Sequence, residues 1–145
     1  MDDEGRQVPR AAEMRGRARG FVAQVTSRNR LPLDFSVASL RVVDFLIEGL
    51  RKGGRERSEI AGALFGLGAY VGEVLVRRAG AMWIDLDKEQ REFFGQSVGV
   101  RMPDGRVWNP LGKVVNCLER GGMDGSESSL QIFYLTLPGR VGHAA

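Results

Sequence analysis

The sequence predicts an α+β domain: a small antiparallel three-stranded meander packed against a helical layer, with one central buried helix. Three observations predict it. Residues 58–80, SEIAGALFGLGAYVGEVLVRRAG, read as one helix that is apolar nearly all the way round, the pattern of a post enclosed by its neighbours. Residues 81–87 alternate apolar and polar at the period of a strand. Residues 96–109 hold two short apolar runs around Pro103-Asp104-Gly105, where proline fixes φ and glycine accepts a positive one.

The bulk numbers agree with one core. The chain has 145 residues, 43% of them hydrophobic, a usual size for a single domain. Uninterrupted apolar runs fall short of the ~18 residues that a membrane span needs, so no membrane association is expected. The N-terminal MDDEGRQVPR has neither the basic-then-apolar order of a secretion signal nor the acid-poor character of a transit peptide. Cys117 is the single cysteine. It cannot form an internal disulfide and suits a reducing, cytoplasmic setting. The charge is uneven. Residues 1–30 carry seven arginines against four acids, a surplus of three, and the remainder is balanced.

The elements follow in order. Pro9 suits a first helical turn, and Met14, Ala18, Phe21, Val22 and Val25 then recur at helical spacing. Arg15 and Arg19 lie beyond one edge of that stripe; Arg10, Arg17 and Arg28 flank the other. Residues 1–30 thus read as a basic helical arm, and Leu31-Pro32 breaks it. Ser36 is positioned to cap a second helix over 37–52, with Leu40, Val43, Ile47 and Leu50 inward. Gly53-Gly54 ends it.

Ser58 is expected to cap the central helix. Ile60, Leu64, Val71, Val74 and Leu75 cluster around Leu67 on one face. Gly62, Gly66, Ala69, Tyr70, Glu73 and Arg77 lie on another. A glycine inside a helix costs about 1 kcal/mol against alanine, so a neighbour is expected to pack closely over Gly62 and Gly66. Gly80 ends the helix. In the following strand Met82, Ile84 and Leu86 share one face; Trp83, Asp85 and Asp87 share the other. Asp87 with Gln90 forms a capping box for a short helix over 88–94. Val98, Val100 and Val107 belong to the hairpin. Asn109-Pro110 opens the next helix, with Leu111, Val114, Val115 and Leu118 as its stripe and Gly121-Gly122 as its stop. Ser126 is expected to cap a last helix with Leu130, Phe133, Tyr134 and Leu137 inward. Residues 31–138 form the single α+β domain, and 139–145 a frayed tail.

Several chemistries find little support. His143 is the only histidine and is the third residue from the end, so nucleophilic triads and zinc sites are not expected. No metal or cofactor is expected. The run from Gly66 to Gly72 misses the dinucleotide pattern, since Val71 stands where the third glycine belongs. Asp85 and Asp87 share a strand face, about 6–7 Å apart. That spacing fits a magnesium ion or an acid–base pair, and equally a solvated strand edge that caps a helix.

Glu73 is the most unusual polar residue, a carboxylate on a helix expected to be enclosed. Such a group needs a partner. The candidates are Arg77 one turn on, Arg101 in the hairpin and Lys113 on the Asn-Pro helix. Its roles are a structural ion pair or a site acid. Trp83 and Trp108 are expected to pack at the sheet rim; an exposed pair beside arginines would instead mark a binding face.

The combination of Gly68-Ala69-Tyr70-Val71-Gly72-Glu73-Val74, Gly80 with Trp83, Pro103-Asp104-Gly105 and Asn109-Pro110-Leu111-Gly112-Lys113-Val114 resembles a group of small bacterial domains of unknown function. The likeness covers roughly residues 36–135. It implies a compact bacterial cytosolic domain and carries no activity. Three functions are therefore expected in turn. The first is a non-catalytic module that binds a protein through its sheet rim and hairpin. The second is nucleic-acid association through Arg10, Arg15, Arg17, Arg19, Arg28 and Arg30. The third is a small enzyme or ligand binder around Glu73, with Tyr70, Lys113 and Asp85 beside it. The sequence does not specify an oligomeric state.

Overall fold

Capping chemistry sets where most of the helices begin and end. The computed structural model describes residues 9–28, 31–120 and 129–137. A 3-10 turn, Ala11–Glu13, leads into α1, Met14–Arg28. Pro9 precedes this turn rather than lying in it. Helix α2 spans Leu40–Lys52 and α3 Arg57–Ala79. Strand β1 is Met82–Asp85, followed by α4, Lys88–Phe94. The hairpin of β2, Val98–Arg101, and β3, Val107–Trp108, leads to α5, Pro110–Arg120, and α6, Leu130–Leu135.

The three strands form one antiparallel sheet in the order β1-β2-β3, with Trp83 opposite Val100 and Val100 opposite Trp108. The α+β class, the meander and the central helix are as the sequence predicts. The turn between β2 and β3 places Gly105 at φ +92°, and its N–H donates to the Met102 carbonyl at 2.9 Å. Asp87 caps α4, accepting from Gln90 N–H at 2.8 Å, while the Gln90 side chain accepts from Asp87 N–H. Asn109 caps α5 by accepting from Gly112 N–H at 3.0 Å.

Three caps fall elsewhere than expected. Helix α3 starts one residue early at Arg57, and Glu59 accepts from the Glu56 N–H at 3.1 Å. Glu56 and Glu59 therefore form the N-terminal box, and Ser58 lies inside the helix. Ser36 accepts from Ser39 N–H and so caps a turn ahead of α2, which begins at Leu40. Ser129, not Ser126, caps α6, accepting from Ile132 N–H at 3.3 Å; Ser126 lies outside the described residues, as do Gly121, Gly122 and the tail.

Helix α3 is the post. By length and composition it could cross a membrane, but 67% of its apolar window is buried inside the fold. Every residue from Gly66 to Leu75 is buried. Its glycines show how it is enclosed. A Cβ at Gly66 would lie 2.3 Å from the Phe21 ring of α1; at Gly68, 2.9 Å from the Cα of Leu111 in α5; at Gly72, 2.1 Å from the Trp83 ring of β1. Three elements thus approach one helix at distances no side chain permits. The expectation for Gly66 holds and that for Gly62 does not, because Gly62 faces open space. The capping Gly80 takes φ +77°, the left-handed conformation that ends a helix.

The sequence marks two faces in β1 without assigning either inward, and on the Met82 face Leu86 is buried at the end of the strand. Trp83 and Asp85 face α3 and the start of α1, while Met82 is 51% exposed. The alternation was legible, but the larger ring rather than the aliphatic set fills the gap over Gly72.

These contacts predict opposite signs for similar changes. Gly62→Ala removes a helix glycine with nothing in its way and should raise unfolding free energy by about 0.5–1 kcal/mol. Gly68→Ala forces α5 off α3 and should lower it by about 1–3 kcal/mol. Urea denaturation of both variants checks the pair; a gain at both positions would contradict the close approach of Leu111.

Candidate functional site

The polar groups of this fold converge at the C-terminal half of α3. Glu73 is fully buried. Its Oε2 accepts from Arg15 Nε and from Arg77 Nε, each at 3.0 Å. Its Oε1 accepts from Trp83 Nε1 at 3.2 Å. One carboxylate thereby ties α1, α3 and β1 together. Of the partners foreseen for it, Arg77 is present. Arg101 and Lys113 are elsewhere: Arg101 is exposed and donates to Met82 Sδ, and Lys113 lies 4.8 Å from the centroid of the Phe133 ring. The sequence holds no signal for Arg15, which is 58 positions away, nor for the indole donor, which depends on which face of β1 turns toward α3.

Tyr70 does not join Glu73. Its hydroxyl accepts from Phe35 N–H at 2.8 Å and lies 2.6 Å from Ser39 Oγ. Its ring stacks on Phe35 with centroids 4.7 Å apart. Burial raises its pKa above the ordinary 10.0. Phe35 is the one described non-glycine residue with positive φ, at +62°, a conformation that persists where the surroundings over-determine it. Here its N–H goes to Tyr70, its carbonyl accepts from Arg78 Nε at 3.1 Å, and the Arg77 guanidinium lies 3.9 Å from its ring centroid.

Asp85 and Asp87 do not share a site. Asp85 accepts from Ala11 N–H at 2.8 Å and so holds the first turn of the N-terminal helix against the sheet. Ser97 Oγ donates to the Pro9 carbonyl at 2.6 Å beside it. Asp87 is spent on its capping box. Trp83 and Trp108 pack inward, the first over Gly72 and the second edge-on to Phe133 at 5.5 Å. The buried Trp108 Nε1 has no acceptor among the described residues.

The arginines of α1 do not make one basic face. Arg15 enters the Glu73 cluster and Arg17 lies 5.3 Å from the Phe65 ring centroid on the other side. Arg10 and Arg19 are exposed. The side chain of Arg28 and the whole of Arg30 lie outside the described residues.

A second buried acid was missed. Asp44 is 3% exposed and binds the start of α6. It accepts from Leu130 N–H and Ser129 Oγ, both at 2.8 Å, and the Cys117 thiol lies 3.8 Å away. The signal was available: Leu40, Val43, Asp44 and Ile47 hold one helical stripe, so its one acid had to be inside. Burial pushes the Cys117 thiol up to about 12, so it carries little thiolate and is a poor nucleophile.

Cavities open elsewhere. The largest described one, about 410 Å³, is lined by Phe21, Gln24 and Val25 of α1, Leu46 and Leu50 of α2, and Gly62, Ala63 and Leu67 of α3. Another of about 350 Å³ adjoins it at Leu50, with Arg51, Arg55 and Arg57 on its walls. Glu73 lines neither. Among the described residues no three His, Cys, Asp or Glu side chains come together as metal ligands.

Comparison of the chain with protein-family models, curated proteins and solved structures finds no match. The residues of the Gly-Ala-Tyr-x-Gly-Glu pattern are meanwhile all engaged in packing. Gly68 admits Leu111, Gly72 admits Trp83, Tyr70 holds Phe35 and Glu73 holds two arginines.

Asp44 yields a pH dependence. Burial, the largest influence, raises its carboxyl above the ordinary 3.8. A carboxyl raised by folding contributes stability that is complete below its unfolded pKa and lost as pH rises through its folded one. Wild type should therefore lose unfolding free energy relative to Asp44→Asn as pH climbs from about 4 to 7. Parallel denaturation curves across that range check it; a constant difference would contradict it.

Proposed function

We propose that this chain is a non-catalytic protein-interaction module that receives an apolar helical segment of its partner between α1 and α2. The observation that carries the reading is the groove of about 410 Å³ there. Phe21 and Val25 form one wall, Leu46 and Leu50 the other, and Ala63 and Leu67 the floor. Gly62 leaves the floor open. Phe45, next to Leu46 in the sequence of α2, stands 56% exposed. Grooves of this kind between two helices take the apolar face of a third.

The sheet rim offers less. Both tryptophans expected there are turned inward, which leaves Met82 and Arg101. The Glu73 region supports catalysis poorly, because that carboxylate already accepts three hydrogen bonds and none of the described cavities reaches it. The resemblance to small bacterial domains and the lone buried thiol support a bacterial cytosolic setting.

The test uses Gly62→Phe, which fills the groove from a position with open space around it. Proximity labelling in cells should mark a partner with the wild-type chain, and Gly62→Phe should lose that partner while keeping wild-type thermal stability. Equal labelling by both proteins would overturn the groove as the binding surface.

A further inference from the structure

We propose that Arg15, Arg77 and Arg78 form a binding site for a phosphate-class oxyanion, either free phosphate or the terminal group of a small phosphate ester. The site is distinct from the groove between α1 and α2 and does not depend on the protein-binding reading.

An arginine paired with a carboxylate usually engages both oxygens with two parallel N–H groups. Glu73 cannot be met in that way, because its Oε1 is given to Trp83 and its Oε2 is shared. Arg15 and Arg77 each reach Oε2 through Nε alone, at 3.0 Å, so their Nε atoms stand at most twice that distance apart. Arg78 is also held through Nε alone, by the Phe35 carbonyl at 3.1 Å. Each guanidinium has five N–H donors and spends one of them on the protein among the described residues. Among the described residues the outer forks of all three have no other hydrogen-bond partner.

The forks are also fixed in place. The Arg77 guanidinium carbon lies over the Phe35 ring, 3.9 Å from its centroid, while its neighbour Arg78 binds the carbonyl of the same residue. Phe35 is clamped in turn by Tyr70 through its N–H and its ring. A site positioned before its ligand arrives loses less entropy on binding. The forks are accessible, with the Arg15 side chain 58% exposed and that of Arg77 33% exposed.

Charge favours an anion. Two guanidinium groups, those of Arg15 and Arg77, meet one buried carboxylate, Glu73, and Arg78 is held beside Arg77 on Phe35. Two further acids lie nearby: Asp34 interacts with Arg78 and accepts from the Ser36 N–H and hydroxyl, and Asp85 accepts from the Ala11 N–H one turn ahead of Arg15. Around Glu73 itself two cations meet one anion, and the repulsion between Arg15 and Arg77 is offset by one shared oxygen. Planar forks of this kind match the oxygens of phosphate, and a tetrahedral phosphate presents more oxygens to three forks than a carboxylate does.

The test is an NMR titration that follows the Trp83 indole N–H and the arginine Nε–H signals. Inorganic phosphate is added to the full chain at constant ionic strength, with chloride and acetate as controls and methyl phosphate as a parallel arm. The proposal expects saturable shifts with phosphate and weaker ones with acetate. Arg78→Gln, which leaves the Glu73 contacts intact, should bind about tenfold more weakly, the loss of one charge-assisted partner. Arg15→Gln should weaken binding similarly. Tighter binding of methyl phosphate assigns the site to esters, and tighter binding of inorganic phosphate assigns it to the free ion. Shifts that fail to saturate, or that both variants retain at wild-type affinity, overturn the site.

Discussion

One constraint organises this fold: α3 must be approached at backbone distance by neighbours on more than one side. Gly66, Gly68 and Gly72 are the places where that happens, against Phe21, Leu111 and Trp83. A helix glycine costs about 1 kcal/mol against alanine, and each of these three is offset by a large side chain that fills the notch. The buried aliphatic face around Leu67 supplies the rest of the core. Chain order then follows. Helix α1 covers one flank, α5 and the sheet the other, and α2 closes the remaining side with α6 tied to it through Asp44.

The polar interior follows from the same enclosure. Once Trp83 fills the space over Gly72, its indole N–H is carried to Glu73. Once α1 lies over Gly66, Arg15 reaches the same carboxylate. Glu73 is thus stabilised by groups that arrive only when the sheet and the first helix are both in place. The acid contributes to specificity, since a shifted register of β1 or α1 would leave it buried without its partners. Asp44 plays the matching part on the other side of the molecule, where it satisfies the first N–H groups of α6. Asp85 does so for the turn that opens the N-terminal helix.

Much of the fold was legible because its signals are local. The helix stripes, the Asp87–Gln90 box, the Asn109 cap, the Pro-Asp-Gly turn and the Gly80 terminus are all decided by residues within one turn of one another. The errors came where long-range packing decides. Ser58 is a good cap by type, but Glu56 and Glu59 fit the box better. The alternation in β1 marks two faces without saying which is inward, and the ring of Trp83 outcompetes Met82 for the space over α3. Gly62 and Gly66 sit on one helix face, yet the Phe21 ring covers only the second. For the candidate site, the sequence pointed to Glu73 and Arg77 and could not reach Arg15, Phe35 or Arg78. Those residues meet through tertiary contacts that leave no trace in spacing. Asp44 could have been found from its place on an apolar stripe.

The account stands or falls on α3 being the most protected part of the chain. Native-state hydrogen exchange measures this directly, residue by residue. The amides of residues 64–75 should exchange only through global unfolding, with the largest opening free energies in the protein. Exchange of those amides as fast as that of the exposed turns around Gly54 and Gly105 would contradict it.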